Sequence, residues 1–292
     1  MNSFAHIRAE AAGHPVARLC KLLSVSRSGY YGWLERRGQL GGARDDERLS
    51  ARIRAAHREC DGAYGSRRIA RRLKDDGEHV GRRRVRRVMR ENSVYAVQPR
   101  RFRKTTDSEH DLGIAPNLLK QDFDVNELNR VWVSDITYIW TAEGWSYLAV
   151  VLDLCSRRVV GWAIDDHMKT DLPLKALNRA LESRQPTSGL IQHSDRGSQY
   201  ASHRYRKLLS DWEAIASMSG TGNCYDNAVA ESFFASLKKE RISHKAFATR
   251  TEAHDAVANY IDGFYNPTRY HSTLGYLSPV RYEQEQRLAQ AA

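Results

Sequence analysis

From residue 131 to residue 239 the apolar positions fall into short runs broken by polar turns, and their spacing alternates between the two regular periods. VWVSDITYIW (131–140) is rich in β-branched and aromatic residues and predicts a strand. WSYLAVVLDLC (145–155) and RRVVGWAID (157–165) predict two more, with turns near Glu143-Gly144 and at Ser156, so the three suggest an antiparallel meander. DLPLKALNRALES (171–183) reads as a helix, GLIQH (189–193) as a fourth strand, SHRYRKLLSDW (202–212) as a second helix and EAIASM (213–218) as a fifth strand. GNCYDNAVAESFFASLKK (222–239) closes the set as a short amphipathic helix. At 3.6 residues per turn, Val229, Ala230, Phe233, Phe234 and Leu237 make its broad apolar side, while Asn227, Glu231 and Lys238 share a polar stripe. The order is βββαβαβα.

Upstream, the period is helical. HPVARLCKLLSVSRSGYYGWLERR (14–37) predicts one helix with Val16, Leu19, Cys20 and Leu23 on a single side, a tight turn at Ser24-Val25, and a second helix capped by Ser26, a helix-turn-helix pattern. YGSRRIARRLKDDG (64–77) predicts a basic helix ending near Gly77, and VGRRRVRRVMREN (80–92) another that buries Val85, Val88 and Met89. Gly38 to Gly42 reads as a linker, and QPRRFRKTTDSEHD (98–111) as a basic, then polar, connector. Beyond residue 239, helical pattern continues over 240–262 and gives way to YNPTRYHSTLGYLSPVRYE, where cations interleave with aromatics. The expected division is residues 1–42 as a helix-turn-helix-like unit, 43–97 as a basic helical unit, 98–124 as connector, 125–240 as the strand-and-helix core and 241–292 as a C-terminal helical extension.

Charge changes this picture most. The net charge is +11, of which residues 44–104 carry +11 and residues 1–43 carry +4, leaving −4 for the remainder. A basic front end before a near-neutral core points to a polyanion, and DNA is the expected partner. Arg82, Arg83, Arg84, Arg86, Arg87 and Arg90 crowd one helix, a costly arrangement unless phosphates or acids neutralise them. Together with Arg67 and Arg68 they are the expected DNA contacts, with Lys238, Asn227, Arg269 and His271 further along. Four scattered cysteines without a CxxC pair fit reduced thiols in a cytoplasm. His57 and Cys60 resemble half a zinc site, but no second half follows. No run of 18 apolar residues predicts a membrane span, and MNSFAHIRAEAAG lacks a signal-type apolar region.

Three carboxylates stand out chemically. Asp135 lies within a strand otherwise made of buried-type residues, Asp195 where a short apolar strand meets polar sequence, and Glu231 on the polar stripe of the last helix. Converging, they make a hard oxygen cage for two divalent ions of the magnesium type, the arrangement that serves in-line phosphoryl transfer. Asp153, Asp165, Asp166 and Asp226 are rivals. Asp153 reads as structural, holding its turn or an arginine such as Arg157 or Arg158, and is the first substitute. Asp226 reads as a helix cap, Asp165 and Asp166 as turn residues. His193 and Gln199 flank Asp195 and are expected to help position DNA.

Asp135, Asp195 and Glu231, with 35 residues between the last two and Lys238 seven past the glutamate, resemble the catalytic signature of DDE transposases and retroviral integrases. WVSDITYI, VVLDLCSRRVVGW, HSDRGSQY, NCYDNAVAESFFASLKKE and YNPTRYHSTLGYLSP closely resemble second-frame (OrfB-type) transposases of the insertion sequence 3 family, from about Tyr64 to the C-terminal region. The resemblance implies an α/β, ribonuclease H-like core, a five-stranded mixed sheet with flanking helices whose first strand, fourth strand and last helix meet at one edge. It implies cutting and joining of DNA with Mg2+ or Mn2+ (two ions), without a protein nucleophile: water frees a 3′-hydroxyl, which then attacks a second phosphodiester. It also implies synapsis of two element ends by a homo-oligomer, a bacterial, nucleoid-associated location, and a frameshift fusion with a first-frame (OrfA-type) product. The chain is therefore expected to lack an end-recognition domain. A nuclease of the same fold that does not join, and a non-catalytic DNA-binding regulator, are the alternatives.

Overall fold

The computed structural model describes residues 3–38, 40–97, 114–120, 123–220 and 227–291. The connector 98–111 and Asp226 lie outside the described residues. The chain forms two compact units, Met1–Glu59 with Tyr64–Tyr95, and Cys60–Ala63 with Ala96–Ala292.

In the first unit, helix α1 (Ser3–Glu10) precedes α2 (Val16–Leu22) and α3 (Arg27–Gly38). Ser24 takes up the turn with φ +53°, and the Ser26 hydroxyl accepts the Gly29 amide at 3.0 Å, so the expected cap is made. Ile7, Cys20 and Tyr30 form a small core, packed by Phe4, Leu19 and Trp33. α4 (Leu40–Glu59) starts inside the stretch expected to be a linker. Two glycines cost a helix about 1 kcal/mol each, yet the apolar face farther on, Leu49, Ile53 and Ala56, is buried and sustains it. α5 (Ser66–Asp75) and α6 (Arg82–Glu91) pack on α4, burying Ile69, Leu73, Val85, Val88 and Met89.

The second unit is built on five strands, β1 (Val131–Thr141), β2 (Gly144–Asp153), β3 (Val159–Asp165), β4 (Ile191–Ser194) and β5 (Ile215–Met218), in the order β3-β2-β1-β4-β5. β1 pairs antiparallel with β2, and β2 with β3, whereas β4 runs parallel to β1 and β5 parallel to β4. This mixed sheet has the ribonuclease H-like arrangement. Period-2 alternation sends Val131, Val133 and Ile139 to one face and Trp132 and Ile136 to the other.

On the first face lie α10 (Ala228–Leu237) and α11 (Arg250–Ala258), through Phe233, Leu237 and Val257. Each such side chain contributes about 1.5–3 kcal/mol when fully buried. α7 (Asp171–Arg184), α8 (Ser198–Ala201) and α9 (His203–Asp211) cover the second face. α7 lies so close to β3 that a Cβ on Gly161 would fall 2.2 Å from the Ala176 carbonyl oxygen. The 240–262 stretch is not one helix. α10 passes into a π-helical turn, Lys238–Ile242, the helix breaks near Phe247, which bridges to Thr141 of β1, and α11 runs on into a second π segment, Asn259–Tyr265. α12 (Pro279–Ala291) ends the fold.

Candidate active site

Asp135 stands on β1 one residue past the point where β4 stops pairing, since the β1–β4 register covers only Val131 to Ser134. Parity puts it on the face covered by α10. Its Oδ1 accepts the Ile136 amide at 2.8 Å. Asp195 follows the last residue of β4, and its Oδ1 accepts the Gly197 amide at 2.9 Å; the next side chain, Arg196, donates to the Ser219 carbonyl at 2.7 Å and ties the loop to the end of β5. Glu231 is exposed in the first turn of α10, where the helix dipole favours an anion.

Asp135 senses the other two acids. Burial raises the Asp135 carboxyl well above the ordinary aspartate range, and the charges of Asp195 and then Glu231 add to this, against the Ile136 amide and Lys238. Burial lowers the Lys238 ammonium, and Asp135 partly restores it. The Lys238 Nζ rests 4.9 Å over the Tyr138 ring. The carboxylate oxygens do not all lie within 4.8 Å of one another; among the described residues the group at that spacing is Asp165, Asp166 and His167. That group is partly neutralised, because Lys175 meets Asp165 at 2.6 Å.

The residues around Asp135 fit a divalent ion. The donors are hard carboxylate oxygens, and the mutual repulsion that raises Asp135 is what a cation relieves. Among the described residues, two polar atoms nearby are buried without a hydrogen-bond partner: Oδ1 of Asn227, whose Nδ2 donates to the Ser134 carbonyl at 3.2 Å, and the Tyr200 hydroxyl. Burial raises the Tyr200 phenol well above its usual range, with Tyr205, Asp195 and Asp135 adding to the shift. Sequence reasoning passes over Tyr200, whose only signal is its place five residues after Asp195.

Other expected site residues serve the fold. Arg269 is 4% exposed, its guanidinium forked onto Glu240 at 2.7 Å through both Nε and Nη2, with Nη2 also on Ser236 at 3.0 Å, so in this structure it is engaged inside the fold. Tyr260 donates to the same Glu240 at 2.8 Å. His271 is half-buried, with its ring 4.9 Å edge-on from Tyr265. Asn227, just before α10, is buried against β1. His193 is fully buried between Ser217 at 2.8 Å and Ser219 at 3.2 Å, and Gln199 donates to the Met168 carbonyl at 3.0 Å. Asp153 holds its turn, accepting the Asn129 and Ser156 amides at 2.6 and 2.8 Å. Of the two arginines expected beside it, Arg158 pairs instead with Glu283, and Arg157 donates to the Phe123 carbonyl at 3.4 Å.

On α6, all six arginines are exposed, but Arg84 and Arg87 reach Asp46 at 2.9 and 2.6 Å, and Arg87 also reaches Glu91 at 2.8 Å. Acids thus neutralise these two. Arg82, Arg83, Arg86 and Arg90 make no ion pair among the described residues, and Arg67 is exposed, whereas Arg68 lies 5.5 Å over the Tyr64 ring.

Residues 125–224 and 231–288 match integrase core domain families, and residues 44–102 match an HTH-like domain. The chain is 44% identical over 267 residues to the insertion element IS600 uncharacterized 31 kDa protein of Shigella sonnei, covering 91% of this chain and 98% of that protein. It is 37% identical over 283 residues to the transposase InsF for insertion sequence IS3A of Escherichia coli, covering 97% and 98%. The chain belongs to the insertion sequence 3 family of transposases. It is a DDE transposase, an enzyme of the polynucleotidyl transferase type with an integrase core. Domains of this class use divalent metal ions. The transposase also shows a distant likeness to the bovine immunodeficiency virus integrase catalytic core, at 17% identity and a TM-score of 0.40 over 56% of this chain and 99% of that one. Among its described residues, no helix is long and apolar enough to cross a membrane.

Proposed function

We propose that Asp135, Asp195 and Glu231 are the catalytic carboxylates, that they hold two divalent ions, magnesium or manganese, and that the chain cuts and joins DNA at the ends of its insertion sequence. What supports this is placement: Asp135 stands on β1 just past the last residue paired with β4, Asp195 follows the end of β4, and Glu231 lies in the first turn of α10, which packs on the Asp135 face of the sheet, in a chain of the insertion sequence 3 family. When bound, such ions supply Lewis-acid stabilisation to the attacking and leaving oxygens of an in-line displacement. The protein's own part is positional. Backbone amides at Ile136 and Gly197 orient the two aspartates, and Glu231 lies on the solvent side, where a DNA strand can enter. Lys238 offers a cation to a phosphate beside the scissile bond. The freed 3′-hydroxyl is the nucleophile in joining, so no side chain bonds to DNA.

Arg67, Arg82, Arg83, Arg86 and Arg90 are read as phosphate contacts of a basic unit at 43–97, after a helix-turn-helix-like unit at 1–42, with the core at 125–240 and an extension at 241–292. Element ends and target DNA are the substrates, a homo-oligomer on DNA the working form, a first-frame product the partner or fusion, and the nucleoid the location. Incubation with labelled element ends, target DNA and Mg2+, with and without the upstream fusion, tests this. Ends bearing a 3′-hydroxyl are expected to become covalently linked to target, and dideoxy ends not. Cleavage without linkage under every condition would assign a nuclease instead.

A further inference from the structure

The tip of the β1–β2 hairpin carries an aromatic group that the carboxylate site does not use. On the face opposite Asp135, register sets Tyr138 across from Tyr147 and Trp140 across from Trp145. The rings touch: Trp140 and Trp145 lie 4.8 Å apart at 72°, and Tyr138 and Trp145 lie 5.0 Å apart at 86°. Farther down the same face Trp132, Ala149 and Val151 are covered by helices. At the tip no helix among the described residues gives that cover, and Trp140 is 59% and Trp145 42% exposed. Cross-strand aromatic pairing stabilises a hairpin and explains why the rings meet. It does not explain two large indoles left side by side in water, which is the mark of an interaction surface.

Charge and position select the partner. The Lys238 amine sits on the Tyr138 ring, at the end of the aromatic group nearer the carboxylates. Counted along β1, Asp135 comes first, then Tyr138 with the Lys238 amine on its ring, then the two exposed indoles, these rings standing on the face opposite Asp135. A cation followed by aromatic faces suits a strand of nucleic acid, the phosphate meeting the cation and the base the ring. From Asp135 to Trp140 is five residues of strand, roughly 17 Å at about 3.4 Å each, comparable to about five base steps of a duplex. An indole face stacks on a base whose own face is uncovered, and beside an aromatic group with a cation at its end an unpaired base offers that face along the strand.

We propose that Trp140 and Trp145, with Tyr138 and Lys238, form a platform that stacks an unpaired base of the bound DNA a few nucleotides from the scissile phosphate. The placement relative to the scissile bond rests on the function proposed above; the stacking itself does not need catalysis. The test uses the full chain and two fluorescent duplexes of equal length, one blunt and one with a five-nucleotide unpaired tail. Trp140→Ala and Trp145→Ala are expected to weaken binding of the tailed duplex about tenfold, within the range for loss of one stacked base, and to leave the blunt duplex unchanged. Trp140→Phe is expected to recover most of the loss. With 5-iodouracil in the tail, the wild-type protein is expected to crosslink at Trp140 or Trp145, a readout independent of any effect of alanine on folding. Asp135→Asn is expected to abolish joining and keep the tail preference, which separates this platform from the carboxylate site. Equal affinities for both duplexes in wild type and variants, or crosslinks elsewhere, would overturn the proposal. So would variants that bind both DNAs normally but sediment as a smaller assembly, which would assign the rings to an interface between copies of the chain.

Discussion

Asp135 is where the cost of the site is concentrated. Its carboxyl is raised first by burial and then by Asp195 and Glu231, so folding favours its neutral form. A carboxyl raised in the folded state withdraws stability as pH climbs from the ordinary aspartate value toward the folded one, and costs nothing below both. Asp135→Asn is therefore expected to raise the melting temperature of the metal-free protein near pH 7, with the gain disappearing toward pH 3, while strand transfer falls by about 100-fold or more. Calorimetry across pH, beside a joining assay, checks both halves. The three acids proposed for the site are picked out in the sequence because an aspartate inside a strand like VWVSDITYIW is out of character and the family words surround it. The burial of Arg269 and Asn227 is not legible there. A buried arginine is tolerated only when paired, and its partner Glu240 lies 29 positions upstream, where composition cannot reveal the pairing. Tyr200 is invisible because one tyrosine among 14 carries no pattern.

At the scale of elements, the five strands follow the alternation closely, since each has one or both faces buried and a register slip would turn the wrong residues inward. The region beyond α10 is harder to read, because polar pairings rather than apolar period hold it. Glu283 of α12 is 2% exposed and receives Arg184 at 2.6 Å, Arg158 at 2.6 Å and the Ser156 hydroxyl at 2.9 Å, fastening α12 to the β2–β3 turn and α7. Burial would raise its carboxyl, but hydrogen bonds and charge from Arg184 and Arg158 outweigh this and hold it below the ordinary range. A lowered carboxyl contributes stability that is full above the unfolded value, about 4.3, and is lost as pH falls through the folded one. Glu283→Gln is expected to cost about 3–5 kcal/mol at neutral pH by stranding buried arginine charge. The difference from wild type should shrink below pH 4, as read by urea unfolding at each pH.

For the whole molecule, the division of charge is the governing fact: residues 1–104 carry +15 and the remainder −4. Arg82, Arg83 and Arg86, exposed and without an ion pair among the described residues, are expected to meet phosphates. Replacing all three with alanine should lower the slope of log affinity against log salt by about 0.9 for each phosphate no longer neutralised, uniformly across DNA sequences. Arg84→Ala and Arg87→Ala, which break the Asp46 pairs, should change the stability of the N-terminal unit more than that slope. Titration at several salt concentrations distinguishes the two sets. Whether Asp135, Asp195 and Glu231 hold the metal is decided by anomalous diffraction from crystals soaked in Mn2+. A manganese peak bonded to oxygens of Asp135 and Asp195 is expected, and its disappearance in Asp135→Asn. A peak only at Asp165, Asp166 and His167, or none at saturating Mn2+ with DNA bound, would contradict that assignment.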